Sequence, residues 1–171
     1  MKYTIIFQFL LIFSLSGCKQ IQPCDAVVYW KHEGLIKIYN KPNGKELTSL
    51  QNDLQNENFL NLKIKEVTND FFLVEISLTI NGTKQVGWIK KNSYIGAFMK
   101  GEKEYMDLTL YNSPKDELSE IKKIKNWKAG FVTIEDFQSK WTKVAISYKG
   151  KRVSGWIQSN KLCPNNYSTC N

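Results

Sequence analysis

The chain has 171 residues and a formal net charge of +8 at pH 7, from 24 Lys and Arg against 16 Asp and Glu. A hydrophobic fraction of 42%, with no low-complexity block, excludes disordered and fibrous proteins. The sequence contains a single histidine and four cysteines, with no Cys-x-x-Cys pair and no glycine-rich phosphate loop. We therefore expect a globular protein with no metal site and no cofactor.

The first segment has the pattern of a secretory signal. A basic Lys2 is followed by an apolar run over residues 5–13, which is shorter than the roughly 20 residues that cross a bilayer. The tetrapeptide Leu-Ser-Gly-Cys, which ends at Cys18, resembles the lipobox of bacterial lipoproteins, in which the cysteine is diacylated and becomes the new N-terminus. This resemblance implies a cleaved signal peptide over 1–17, a lipidation site at Cys18 and a tether over 18–24.

The lipid anchor in turn indicates where the protein works. Lys19 follows the cysteine, in place of the Asp that favours retention at the inner membrane of enteric bacteria. We therefore expect a cell-envelope protein, lipid-anchored at the outer membrane and facing the periplasm, since more than one acyl chain makes such anchoring stable. The isoelectric point is near 9.2, but an exported and anchored protein meets no nucleic acid, and we expect no nucleic-acid partner.

The rest of the chain contains an internal repeat, which predicts two domains of about 70 residues, near the lower limit for an independent core. The predicted domains cover 25–97 and 103–165, with a short linker over 98–102 and a tail over 166–171. Four segments recur in the same order, with an offset that falls from 72 to 68 residues: 39–42 with 111–114, 46–48 with 117–119, 74–77 with 144–147 and 87–92 with 155–160.

Within each unit the side chains alternate with the period of a β-strand. Phe72, Val74 and Ile76 lie on one face of such a strand in the first unit, and residues 142–148 repeat the pattern in the second. Turn signals follow, Asn-Gly in the first unit and Lys-Gly in the second, and a Gly-Trp-Ile strand closes each hairpin. We therefore predict an all-β fold.

Two segments carry a spacing that also suits a helix. Leucine and isoleucine recur at helical intervals over 46–58 and over 116–128. We predict a mixture of strand and loop for both segments, and a helical turn stays open.

The strand pattern resembles a known family. Strands that end in Tyr-Asn-x-Pro, at Tyr39 and Tyr111, resemble the opening of bacterial SH3-like domains, and the Val-x-Ile hairpin with its Gly-Trp-Ile strand resembles their ending. The resemblance covers nearly all of the chain after the signal. It implies two tandem small SH3-like barrels, and because such domains often bind wall peptides, it implies peptidoglycan as a partner.

Three cysteines remain besides the lipidated one. An exported protein can form a disulfide, and Cys163 and Cys170 bracket a turn-rich loop, so this pair is the first prediction. A disulfide between Cys24 and either of them would tie the two ends of the mature chain together and stays open as an alternative.

The residue pattern does not predict catalysis. Cys24 and His32 lie eight residues apart, with no predicted framework of helix and strand that would align them as nucleophile and base. We interpret the protein as non-enzymatic.

Charge distinguishes the two units, because residues 24–98 carry a net charge of +1 and residues 99–171 a net charge of +5. In the second unit four lysines surround a tryptophan, and an arginine lies at a basic hairpin tip, which favours anionic partners such as the carboxylates of wall peptides. A solvated lysine-rich face is the alternative, and we interpret Trp88 and Trp156 as packing residues. The predicted ligand-binding residues are Lys122, Lys123, Lys125, Trp127, Lys128 and Arg152.

The sequence thus supports two functions. The first is a non-enzymatic envelope lipoprotein whose tandem domains bind a cell-wall component, peptidoglycan peptides in particular. The alternative is a protein-interaction module, for instance an adaptor, immunity or inhibitor lipoprotein, that binds an envelope protein through exposed strand edges.

Overall fold

The computed structural model describes residues 23–80, 82–101, 103–114 and 120–167. The predicted signal peptide, the lipidation site Cys18, nearly all of the tether and Cys170 lie outside the described residues. Within the described ranges the regular elements are strands and one 3-10 turn, which confirms the predicted all-β class. No helix in this part of the chain is long and apolar enough to cross a membrane.

The strands of the described chain form one open, antiparallel, 13-stranded sheet. In chain order they are β1 (Cys24–Val28), β2 (Ile36–Tyr39), β3 (Glu46–Leu50), β4 (Leu60–Val67), β5 (Phe71–Leu78), β6 (Gln85–Lys90), β7 (Ile95–Met99), β8 (Tyr105–Tyr111), β9 (Glu120–Lys128), β10 (Phe131–Gln138), β11 (Trp141–Tyr148), β12 (Lys151–Gln158) and β13 (Leu162–Cys163). Across the sheet the order is β3-β2-β6-β5-β4-β1-β7-β10-β11-β12-β8-β9, and β13 pairs with β7. The 3-10 turn covers Ser159–Lys161.

The sheet consists of two halves with the same strand order. Read outward from the centre, the first half is β1-β4-β5-β6-β2-β3 and the second half is β7-β10-β11-β12-β8-β9. The innermost strands β1 and β7 pair with each other in antiparallel fashion, with Val27 opposite Gly96. An approximate two-fold axis therefore relates the halves, and main-chain hydrogen bonds join them in one sheet.

The registers of the two halves also agree. Tyr39 lies opposite Trp88 where β2 meets β6, and Tyr111 lies opposite Trp156 where β8 meets β12. A β-bulge interrupts the β4–β5 ladder, and another falls at the same place in the β10–β11 ladder. The sequence matches at these two tyrosines and two tryptophans therefore correspond to equal positions in the sheet.

Side-chain alternation explains which face of the sheet is buried. Phe72, Val74 and Ile76 in β5 are buried, and so are Val144 and Ile146 in β11. Burial of each such side chain contributes about 1.5–3 kcal/mol relative to exposure. These residues face a single hydrophobic cluster to which both halves contribute. The period-two pattern that predicted these two strands is confirmed.

The two segments with helical spacing are the edge strands of the sheet. Residues 46–50 form β3 and residues 120–128 form β9. Ile124 and Trp127, three residues apart as on a helix face, are both buried because a bulge in the β8–β9 ladder changes the alternation between them. The helical turn that the sequence left open is not formed within these two strands.

One predicted match within the repeat is wrong in register. Tyr39 lies opposite Glu46 across the β2–β3 ladder, whereas Tyr111 lies opposite Glu120 across the β8–β9 ladder. Glu46 therefore corresponds to Glu120 and not to Glu117. The second half therefore has two more residues than the first between the tyrosine and this glutamate, and the segment before β9 that contains them lies outside the described part of the chain.

The region around the predicted linker takes part in the sheet. Strand β7 ends at Met99, so the predicted linker over 98–102 begins inside a strand. After β12 the chain returns to the middle of the sheet, where β13 pairs with β7 and Leu162 lies opposite Met99. The C-terminal segment continues across the first half, where the Asn166 amide donates to the Val28 carbonyl at 2.9 Å.

Candidate functional site

Some of the predicted ligand-binding residues meet at a groove in the second half of the sheet, which we call the basic groove. Its volume is about 510 Å³. It lies where β9 passes the β11–β12 turn. The groove is lined by Tyr105, Lys125, Asn126, Trp127, Lys128, Ser147, Tyr148 and Lys149.

A β-bulge shapes the floor of the basic groove. Asn126 has a φ of 53°, in the left-handed region, and its backbone N–H donates to the Asp107 carboxylate at 3.0 Å. Asparagine tolerates this conformation better than most residues, because its short polar side chain bonds locally. The bulge leaves Lys125 and Lys128 exposed on either side of the buried Trp127.

Trp127, which the sequence places among the ligand-binding residues, is a buried residue in the structure. Only 6% of Trp127 is exposed, and its indole Nε1 donates to the Ser147 carbonyl at 3.3 Å. The residue is part of the hydrophobic cluster and forms a wall of the groove from inside. The exposed aromatic surface is instead Tyr105, which is 47% exposed, with the half-buried Tyr148 beside it.

The remaining predicted residues lie elsewhere. Lys122 and Lys123 are exposed farther along β9, opposite Leu110 and Thr109. Arg152 lies on β12, and its guanidinium contacts a Glu135 carboxylate oxygen at 2.9 Å. The predicted set therefore divides between the basic groove, the outer part of the edge strand and an ion pair.

A larger cleft, which the sequence did not predict, lies at the junction of the two halves. We call it the seam cleft, and its volume is about 910 Å³. It opens between the start of β1, the β10–β11 turn and the chain that follows β12. Its lining consists of Pro23, Cys24, Asp25, Lys100, Ser139, Lys140, Trp141, Thr142, Gln158, Ser159, Asn160, Leu162 and Pro164.

The polar floor of the seam cleft consists of Cys24, Thr142 and Ser159. The Thr142 Oγ1 lies 2.8 Å from the Ser159 Oγ and 3.8 Å from the Cys24 Sγ. Burial raises the pKa of the Cys24 thiol to about 11, and the nearby Asp25 charge adds to this, against a smaller lowering by the Thr142 hydrogen bond. The floor is therefore uncharged at neutral pH, and the thiol is a poor nucleophile there.

The single histidine is not among the residues that line the seam cleft. The His32 ring stacks on Tyr94 with 3.5 Å between ring centroids, and burial lowers the pKa of His32. Cys24 begins β1 and His32 follows its other end, so the strand separates them. The described residues contain no group of His, Cys, Asp and Glu that could hold a metal ion.

The cysteines of the described chain differ in state. Cys163 is disulfide-bonded and Cys24 is free and buried. The alternative disulfide between Cys24 and Cys163 is therefore not formed in this structure. The predicted partner Cys170 lies outside the described residues, so the pair of Cys163 with Cys170 stays a prediction.

Comparison with known proteins adds no relative, since no family model, no curated protein and no solved structure matches this chain. The two clefts and the sheet that carries them are therefore the basis for assigning a function.

Proposed function

We propose that the chain is a non-enzymatic envelope lipoprotein, anchored through Cys18, that binds peptidoglycan peptides in the basic groove. In this proposal the two halves of the sheet are tandem SH3-like barrels. The observation that supports binding is the basic groove itself, where exposed lysines and tyrosines meet on one surface. In each half a strand early in the chain pairs with the last strand of the later hairpin, β2 with β6 and β8 with β12, and this long-range pairing supports the barrel assignment.

The cations of the groove are suited to carboxylates. Lys125 and Lys149 are exposed, and the Lys128 ammonium is shared with Glu104 at 3.2 Å. An exposed ion pair contributes about 0.2–1 kcal/mol, so two or three such contacts give weak affinity for one peptide. A lipid-anchored protein facing a polymeric wall gains from effective concentration, which makes weak single contacts sufficient.

The aromatic residues of the groove provide an apolar surface beside these charges. The Tyr148 hydroxyl donates to the Lys125 carbonyl at 3.3 Å, and the Lys149 ammonium lies 5.4 Å from the centre of the Tyr148 ring. These contacts hold the ring at the side of the groove. A wall peptide, with its alternating carboxylates and methyl groups, matches a surface of lysines next to tyrosine rings.

Sedimentation with purified sacculi tests the proposal. The full lipoprotein in detergent is expected to sediment, and the double variant Lys125→Glu, Lys149→Glu is expected to bind at least tenfold less. The matched control is Lys41→Glu, Lys45→Glu, which makes the same charge change at exposed positions of the first half. Equal losses in both double variants, or no sedimentation of the wild type, would refute the groove as the binding site.

A second candidate function rests on the opposite edge of the sheet. Strand β3 is an edge strand with Leu47 57% exposed, whereas the other edge, β9, carries several exposed lysines of the kind that prevent strand pairing. An envelope protein could add a strand beside β3. Crosslinking in whole cells should then recover one protein at fixed stoichiometry, and Leu47→Lys should abolish its recovery.

The anchor and the location are tested separately. Labelled palmitate should be incorporated into the wild type and not into Cys18→Ala, and fractionation should place the lipidated form in the outer membrane. Label in the Cys18→Ala variant would exclude this residue as the acceptor.

A further inference from the structure

We infer that the seam cleft is a binding site for a saccharide carrying N-acetyl groups. This inference goes beyond the proposed peptide site and does not depend on it, because the cleft shares no lining residue with the basic groove. Its argument begins with the approximate two-fold symmetry of the sheet.

The equivalent corner of the first half is filled. Thr142 and Phe72 follow the first residues of β11 and β5, and Ser159 and Lys91 follow the last residues of β12 and β6. The Ser159 amide donates to the Lys140 carbonyl at 2.7 Å, as the Lys91 amide does to the Asp70 carbonyl at 2.8 Å. In the first half Phe72 is fully buried, and the Lys91 ammonium lies 5.0 Å from its ring centre.

The same comparison holds for the third member of the polar floor. Ala26 of β1 lies opposite Leu62 of β4, just as Ala97 of β7 lies opposite Val132 of β10, so the two alanines are equivalent. Cys24 and Ile95 lie two residues before these alanines and are therefore equivalent as well. The corner around Lys91 thus has large side chains, Phe72, Lys91 and Ile95, at the three positions where the seam cleft has Thr142, Ser159 and Cys24. The cleft around Lys91 has a volume of only about 280 Å³, against about 910 Å³ at the seam.

The open corner is therefore not required by the fold. Filling residues at such a corner bury apolar surface and so stabilise the fold, which an open corner forgoes. The first half shows that the same backbone accepts filling residues. A cleft of this size falls within the roughly 300–1,000 Å³ of small-ligand sites.

The chemistry of the lining selects a neutral, hydrogen-bonding ligand. The floor is uncharged, and Gln158 and Asn160 add amide groups, which both donate and accept. Lys100, Lys140 and Asp25 are all exposed and lie at the rim, where the opposite charges partly cancel. An anion would find no buried cation among these residues.

The apolar part of the lining fits the faces of a sugar ring. Trp141 is half-buried in the wall of the cleft, and its ring meets Tyr111 edge-on with 5.3 Å between the ring centroids. A fixed indole can accept the C–H face of a pyranose. Pro23, Leu162 and Pro164 offer apolar contact for an acetyl methyl group. The half-buried Ser159 hydroxyl, the amides of Gln158 and Asn160 and one aromatic face together match an N-acetylated sugar, while Thr142 holds Ser159 from beneath.

Calorimetric titration of the full lipoprotein with N,N′,N″-triacetylchitotriose tests the inference. Saturable binding with a millimolar or tighter Kd is expected. The filled-corner variant Thr142→Phe, Ser159→Lys copies the first half and is expected to weaken binding at least tenfold. Asn160→Ala, at an exposed rim position where a change in folding stability of less than about 0.5 kcal/mol is usual, is expected to weaken binding severalfold.

The control separates this site from the proposed peptide site. The basic-groove variant Lys125→Glu, Lys149→Glu is expected to bind the trisaccharide with an unchanged Kd, whatever its effect on sacculi. No heat of binding at 10 mM trisaccharide would overturn the inference, and so would unchanged binding by the filled-corner and Asn160→Ala variants. A wall stem peptide that binds the wild type and is lost in the filled-corner variant would assign the cleft to a peptide and overturn it as well.

Discussion

The two halves of the sheet share a backbone plan and differ in what they do with one corner of it. In the first half Phe72 fills the corner and the Lys91 ammonium lies over its ring. In the second half Thr142 and Ser159 leave the corner open with a polar floor. The comparison shows that strand order and register determine where a cleft can form, while a few side chains decide whether that place is core or site.

A second difference separates the outer ends of the halves. The second half carries most of the positive charge, and its edge strand β9 places lysines along the basic groove. The first half ends in the shorter, less charged edge strand β3. Both clefts thus belong to the second half or to its junction with the first, whereas the site proposed in the first half is the edge strand β3.

The largest expected effect is the unequal cost of truncation at the equivalent corner positions. Phe72→Ala should lower the free energy of unfolding by about 3–5 kcal/mol, because it empties a fully packed site. Thr142→Ala should cost about 1 kcal/mol, because it removes a hydroxyl with two partners beside an existing cleft. Urea denaturation measures both. Equal losses would show that the seam cleft is as tightly packed as its counterpart.

The next effect is the behaviour of the Cys24 thiol. Because burial raises the pKa of this thiol to about 11, its thiolate fraction at pH 8 should be about 100-fold lower than that of an ordinary cysteine. Alkylation of folded Cys18→Ala protein should be slower by about that factor than alkylation in urea. The double variant Cys18→Ala, Cys24→Ala, which lacks this thiol, should show no such increase of the alkylation rate in urea.

The sign of the associated pH dependence follows from the same shift. The folded state holds the Cys24 proton more tightly than the unfolded state. The contribution of the protonated thiol to the free energy of unfolding is therefore fully present below the unfolded pKa near 9 and is lost as the pH rises towards 11. Wild-type stability should fall in this window more steeply than that of Cys24→Ala. Parallel curves would contradict a buried thiol at the floor of the cleft.

A smaller effect concerns the central strands, where the halves meet. A Cβ added at Gly96 would meet the Val132 carbonyl oxygen, which belongs to backbone and cannot move aside. Gly96→Ala should therefore cost about 2 kcal/mol by forcing β7 away from β10. Gly130→Ala is the matched control, because the nearest atom to its Cβ would be 4.0 Å away, and it should change stability little. Thermal unfolding of the two variants makes the comparison.

Sequence alone predicted much of this architecture for a physical reason. Alternation at Phe72, Val74 and Ile76 has a period that only a strand fits, and the recurrence of Gly-Trp-Ile located equivalent strands. The pairing of β1 with β7 at the centre was not predictable, because neither strand alternates and both are short. Main-chain hydrogen bonds between distant segments leave no local pattern.

The candidate sites were less accessible from sequence. The basic groove was partly predicted, since lysine clusters are visible, but Trp127 was misplaced because a β-bulge turns it inward. The seam cleft could have been suspected only from the mismatch of Thr142 with Phe72 at equal repeat positions. The cleft also requires Cys24, which comes from the far end of the chain, and only the folded sheet brings it to Thr142.

The smallest expected effect contrasts the residues at the two equivalent β-bulges. Lys65 in the first half contacts one carboxylate, that of Glu75, at 3.2 Å. Glu135 in the second half accepts from Arg152 at 2.9 Å and from Ser154 at 3.0 Å. Lys65→Gln should cost less than about 0.5 kcal/mol, and Glu135→Gln about 1 kcal/mol, because the second change weakens the contacts with Arg152 and Ser154 and a longer ion pair with Lys143 at 3.9 Å. Since 1 M salt shortens the screening length to about 3 Å, the difference between the variants in urea should shrink in high salt. A difference that persists undiminished would mean that Glu135 acts through packing and its uncharged hydrogen bond to Ser154 rather than through its ion pair with Arg152.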